Sequence, residues 1–118
     1  TFAFSVPSGN IIDGIQVKIE ASGSSAAGTI DAALSWNTGS NFTSVKSTAT
    51  LSTTDTVYTL GGTGDNWGRV WSSNEFTNGN FRLRITGQPN NNTVKIDAIQ
   101  IKVFHHTGGG GSGGGGEI

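Results

Sequence analysis

The sequence predicts an all-β fold: a two-sheet antiparallel β-sandwich, jelly-roll-like, of about eight strands, with a Gly-rich C-terminal tail. Three observations predict it. Apolar and polar residues alternate with period two along most of the chain, as on half-buried strands. Clusters of Gly, Pro, Asn and Ser interrupt the alternation about every ten residues. No segment repeats apolar residues at helical spacing over three turns, so no long helix is expected.

The elements follow in chain order. Phe2, Phe4 and Val6 alternate with small residues, and Pro7-Ser8-Gly9-Asn10 makes a turn. Ile15, Val17, Ile19 and Ala21 share one face of the next strand, with Gln16, Lys18 and Glu20 on the other. A small-residue loop over 22–28 leads to Ile30, Ala32, Leu34 and Trp36 on a common face. After a turn at 37–40, residues 42–51 are rich in Ser and Thr, with Val45 as the main anchor, and read as an edge-like strand. Val57, Tyr58 and Leu60 form a short strand before Gly61-Gly62. Residues 61–79 are the least regular and hold Trp67, Trp71 and Phe76, with one helical turn expected near 72–76 and Ser73 as its cap. Phe81, Leu83 and Ile85 alternate with Arg82 and Arg84 up to Gly87-Gln88-Pro89, and Asn90, Asn91 and Asn92 turn the chain. In the last strand Val94, Ile96 and Ala98 are in one phase, and Ile99, Ile101 and Val103 in the other. The slip around Asp97-Ala98 predicts a β-bulge, or a bend from one sheet to the other. Periodicity does not separate a jelly roll from an immunoglobulin-like topology, although the absence of cysteine removes the usual immunoglobulin hallmark.

Composition narrows the function classes. The 118 residues suit one domain, read as a sandwich over 1–106 and a Gly/Ser-rich tail or linker over 107–118. Charged residues are only 13% of the chain, about half the usual quarter, and hydroxyl and amide side chains replace them, as in extracellular and surface β-proteins. The net charge of −1 argues against nucleic acid as a partner. No apolar run is long enough to span a membrane. Thr1 reads as a processed or truncated start. Gly108 to Gly116 is interrupted only by Ser112 and reads as a flexible spacer, natural or engineered.

Three blocks carry a resemblance. They are Phe4-Ser5-Val6-Pro7-Ser8-Gly9 leading into Ile12-Asp13-Gly14-Ile15-Gln16-Val17; Asp65-Asn66-Trp67-Gly68-Arg69-Val70-Trp71-Ser72 followed by Phe76 and Asn80-Phe81-Arg82-Leu83-Arg84-Ile85; and the closing Ile96-Asp97-Ala98-Ile99-Gln100-Ile101-Lys102-Val103-Phe104. Together, over residues 2–106, they resemble a widespread prokaryotic and phage surface-protein β-sandwich module with a W-G-x-x-W motif. The resemblance implies a recurring part of large surface, adhesin-like and phage structural proteins, with no catalytic or metal residues to carry over. Relatives of that kind have a further strand before the Phe2 segment. The expectation is therefore an unpaired sheet edge that a neighbouring subunit fills.

The candidate sites are few. Trp67, Trp71 and Tyr58 are the ligand-binding candidates, as aromatic faces on which a sugar stacks, set against a packing role. Trp36 continues the phase of Leu34 and is read as core. Asp65 and Asp97 are the candidates for a calcium site, with turn and surface roles as the alternative. Asn41 and Asn91 head glycosylation triplets. Glu20 and Glu75 make no glycosidase pair, no Ser–His–Asp set is evident, and His105-His106 lack a third metal ligand. Lys18, Lys95 and Lys102 are read as a solvated face rather than as isopeptide donors. No catalysis and no cofactor other than calcium are expected. The leading expectation is a non-catalytic structural module of an extracellular, cell-surface or virion-surface assembly, joined to copies of itself or to adjacent domains by edge-strand and tail contacts. The other is a carbohydrate-binding module for glycans.

Overall fold

Two antiparallel three-stranded sheets face each other in the computed structural model, which describes residues 6–77, 80–88 and 93–107. The strands are β1 Ile11–Gly23, β2 Thr29–Ser35, β3 Lys46–Ser47, β4 Thr56–Gly61, β5 Arg82–Gln88 and β6 Val94–His106, with a four-residue helix α1 at Asn74–Thr77. One sheet runs β4-β1-β6 and the other β3-β2-β5. The first described strand pairs with the last and the second with the fifth, so the pairings nest.

The apolar phases seen in sequence become the core. Ile15, Val17, Ile19 and Ala21 of β1 meet Ile30, Ala32 and Leu34 of β2, all at 0–1% exposure. Leu51, Leu60, Trp67, Trp71, Phe76 and Phe81 complete it.

The phase slip in the last strand is a β-bulge. Glu20 stands opposite Ala98 and Ala21 opposite Ile96, leaving Asp97 as the extra residue. The bulge rotates the strand by one position, so Val94 and Ile96 before it face the same way as Ile99, Ile101 and Val103 after it. β6 therefore stays in one sheet along its whole length. A second irregularity skips Asp13, between the pairs Ile12–His105 and Gly14–Phe104.

The expected strand over 42–51 is reduced to Lys46–Ser47. Threonine hydroxyls explain the difference. Thr43 Oγ1 accepts the Leu34 amide at 3.1 Å and Thr48 Oγ1 the Ile30 amide at 2.9 Å. These side chains take β2 amides that a regular ladder would pair with backbone carbonyls. The segment still returns backbone bonds from Thr43, Thr48 and Leu51 to the carbonyls of Leu34, Ile30 and Gly28. Six strands stand among the described residues where about eight were expected. Most of the Phe2 strand, the Asn90–Asn92 turn and the Gly-rich tail lie outside them. The helical turn forms, but Ser73 Oγ accepts the Gly9 amide, and Glu75 instead takes the Ser72 amide at 2.8 Å, the reciprocal half of a capping box.

Candidate functional site

The Asp65–Ser72 loop folds against β1 through its own backbone chemistry. Gly61, the last residue of β4, has φ +77°, and a side chain there would strike the Ile15 carbonyl and the Trp67 indole. Beyond β4 the loop keeps its place beside β1: the Ile15 amide donates to the Asp65 carbonyl at 2.9 Å, and the Gly62 amide donates to the Ile15 carbonyl at 3.1 Å. Asp65 Oδ1 accepts the Trp67 amide at 2.9 Å, and Asn66 Oδ1 the Gly68 amide at 3.0 Å. These two Asx turns hold Trp67 at φ 58° and Gly68 at φ 84°. A positive φ is costly for a bulky residue, and the Asp65 bond with the buried indole offsets it.

Trp67 and Trp71 were candidates for a sugar platform, and the structure places both rings inside, each at 4% exposure. Trp67 Nε1–H donates to the Ile15 carbonyl at 2.8 Å, and Trp71 Nε1–H to the Asn66 carbonyl at 2.8 Å. Lys46 Nζ lies 5.2 Å from the Trp67 ring centroid. Trp71 sits edge-on to Trp36 at 6.1 Å, with Phe76 at 5.3 Å and Phe81 at 5.8 Å. Neither indole offers a free face for a pyranose. Tyr58 lies opposite Ile19, on the core-facing side of β4, and its hydroxyl accepts the Ser52 amide at 2.8 Å. Trp36, read as core, is partly buried, because the Arg69 guanidinium lies 4.0 Å from its ring centroid and 4.6 Å from that of Trp71.

Arg69 and Glu75 had no assigned role in sequence, yet they close this cluster. Arg69 makes two parallel bonds to the Glu75 carboxylate, at 3.0 and 3.1 Å. The pair locks the loop to α1 while the guanidinium fills the gap between two indoles. The motif is thus a packing device. The six-residue spacing of Arg69 and Glu75 was the available signal, but it becomes legible only once 72–77 is known to turn.

The acidic candidates separate. The Asp65 carboxylate is held below its usual range by the hydrogen bond from Lys46, helped by the Trp67 amide; the Lys46–Asp65 ion pair spans 2.7 Å. Asp97 meets Asp55, with Ser22 and Lys95 beside them. The hydrogen bond between the two carboxyls pulls Asp55 below its usual range and raises Asp97. Two neighbouring carboxyls resist ionising together, so one is favoured charged and the other neutral. Among the described residues no three His, Asp or Glu side chains converge as metal ligands. His105 and His106 alternate across β6 and so face opposite ways. His105 Nδ1 meets Asn10 Nδ2 at 2.8 Å and His106 Nδ1 meets Asp13 Oδ2 at 2.8 Å.

Asn41 is exposed, and its Oδ1 accepts a bond from Asn37 Nδ2 at 2.8 Å; Asn91 lies outside the described residues. On the outer face of the first sheet, alternation in the sequence puts Gln16 and Lys18 on one strand and Lys102 on another, without setting their register. The structure brings them together: Gln16 stands opposite Lys102 and Lys18 opposite Gln100. All four line an open concavity of about 420 Å³.

Scans against protein-family models, curated proteins and solved structures each returned no match.

Proposed function

We propose that the chain is a non-catalytic structural module of an extracellular or surface assembly, such as a filament, fibre, virion surface or multidomain surface protein, and that copies join through the β6 side of the sandwich. One observation carries the reading. The inward residues of β1 and β2 are sealed at 0–1% exposure, whereas those of β5 and β6 are not. Leu83, Ile85, Val94, Ile99, Ile101 and Val103 are only partly buried, and Ile96 is 39% exposed. Among the described residues β5 and β6 end their sheets, and β3 and β4 approach each other on the opposite flank, so the incompletely covered apolar residues lie along one side. Beyond the Asp97 bulge, β6 offers a regular stretch of backbone to a further strand. The nested pairing is what winding a long hairpin into a jelly roll produces. A low charge content and a hydroxyl-rich surface suit the extracellular setting. The tail contacts belong to the same reading, although the tail lies outside the described residues.

The test is the mass of the protein in solution across concentration, by light scattering and electron microscopy, for wild type and Ile96→Glu. Ile96 is exposed enough to accept a charge in the monomer. Oligomers that revert to monomer in Ile96→Glu, with far-UV circular dichroism unchanged, are the expected result. A wild-type chain that stays monomeric up to its solubility limit sinks the reading.

A further inference from the structure

Gln16, Lys18, Gln100 and Lys102 form a two-by-two block on the outer face of the β4-β1-β6 sheet, with amide opposite ammonium in both pairs. Ile99 and Ile101 complete the lining of the concavity, so its walls combine amide and ammonium groups with apolar carbon. Its volume of about 420 Å³ falls within the range of small-ligand sites, roughly 300–1,000 Å³.

Unpaired charge sets this block apart. Lys46 is paired with Asp65, Arg69 with Glu75 and Asp13 with His106. Lys95 lies beside Asp55 and Asp97, and Arg84 lies over the Phe42 ring at 4.1 Å. Among the described residues, by contrast, the side chains of Gln16, Lys18 and Gln100 have no hydrogen bond or ion pair, and Lys102 has only the ring of Phe104, 5.1 Å away. Antiparallel sheets commonly place an acid across from a base. Here Lys18 lies between Gln100 and Thr59, and Lys102 lies across from Gln16; Glu20, two residues along β1 on the same face, stands across from Ala98 and Val57 and makes no ion pair with Lys18.

We propose that this face binds a carboxylate-bearing polysaccharide. The two ammonium groups, diagonal across β1 and β6, take carboxylates along the chain. The two glutamine amides, each both donor and acceptor, bond the sugar hydroxyls. The apolar carbon of the lining meets the C–H faces of the sugar rings, while the amides and ammonium groups meet their polar edges. Two lysines on a chain of net charge −1 are too few to hold a duplex nucleic acid. A second copy is the weaker occupant, because a symmetric contact through this face would set its ammonium groups against their own kind. This site is separate from the aromatic cluster, and it lies on the outer face of the sheet whose β6 strand carries the proposed assembly edge.

The experiment uses the full chain in affinity electrophoresis and titration calorimetry at low salt. The probes are polygalacturonate and alginate, with fully methyl-esterified polygalacturonate as the neutral counterpart. Retention by either acidic polymer and none by the ester is expected. Lys18→Gln with Lys102→Gln should weaken binding by about tenfold or more, the scale of one lost charged contact. Gln16→Ala with Gln100→Ala should weaken it without changing its salt dependence. Lys95→Gln, already offset by neighbouring acids, should bind like wild type. All these side chains sit on an outer sheet face, and circular dichroism checks each variant's fold. No retention by either acidic polymer overturns the proposal. So does equal weakening by Lys95→Gln, which would mean diffuse attraction, or self-association that Lys18→Gln and Lys102→Gln abolish, which would assign the face to a second copy. The polysaccharide results leave assembly through β6 untouched, because Ile96→Glu reads that with no polysaccharide present.

Discussion

The indole Nε1–H of Trp67 donates to the carbonyl of Ile15 across 52 positions of sequence, at 2.8 Å. The same carbonyl accepts the Gly62 amide, so one atom of β1 anchors both the start and the middle of the loop that follows β4. Trp67→Phe keeps most of the packing and loses one neutral bond, an expected cost of about 1 kcal/mol. Trp67→Ala empties a buried site and should cost about 3–5 kcal/mol. Urea unfolding followed by far-UV circular dichroism measures both. Equal midpoints for wild type and Trp67→Ala would remove the loop from the core.

Glycine tolerance is expected to follow backbone proximity. A methyl group on Gly14 would run into the Gly62 and Thr63 carbonyls, backbone that cannot step aside, and one on Gly61 into the Ile15 carbonyl. Gly64 has nothing within 4 Å of that position. Gly14→Ala and Gly61→Ala should each cost about 1–3 kcal/mol or more from overpacking, while Gly64→Ala stays within about 0.5 kcal/mol of wild type. Thermal melts of the three variants decide it; an intact Gly14→Ala melt would mean that the loop does not press on β1.

The β1 and β2 faces, and the bulge at Asp97, were legible because period two is a local property and burial on one side enforces it. The order of the strands was not, since it depends on which edges meet. The segment around Thr43 and Thr48 read as a strand because Thr favours strands; its hydroxyls compete with the ladder, and only the Leu34 and Ile30 partners reveal that. Trp67 and Trp71 had the correct alternative in view, but a loop position alone does not say which way a ring turns. The outer-face block was the least legible, because Lys18 and Gln100 are 82 positions apart and only the β1–β6 register unites them.

Arg69 should not be replaceable by lysine. A lysine keeps the charge but loses the planar fork that bonds both Glu75 oxygens and stacks between Trp36 and Trp71. Both partners are less than a quarter exposed, so screening is limited. Arg69→Lys should cost about 1–3 kcal/mol, with the tryptophan emission shifting as water reaches the indoles. A double-mutant cycle of Arg69→Lys and Glu75→Gln should give a coupling of about 0.5–3 kcal/mol. Additive effects would show that the ion pair and the stacking act independently of each other.

Stability should vary with pH through the Asp55–Asp97 pair, and the sign follows from the two shifts. Asp97 is raised, so its contribution is fully present below its unfolded value and fades as pH rises through its folded value. Asp55 is lowered, so its contribution is present above its unfolded value and fades as pH falls through its folded value. The pair therefore favours the fold most between the two folded values, where Asp97 is protonated and Asp55 ionised. Asp97→Asn supplies that donor permanently, so it should flatten the decline above the acidic range and leave the variant more stable than wild type at neutral pH. Asp55→Asn should instead remove the decline at the acid end. Urea midpoints measured from pH 2 to 8 in low salt test this. A neutral-pH midpoint for Asp97→Asn at or below that of wild type would show that the two carboxyls do not share a proton across β1.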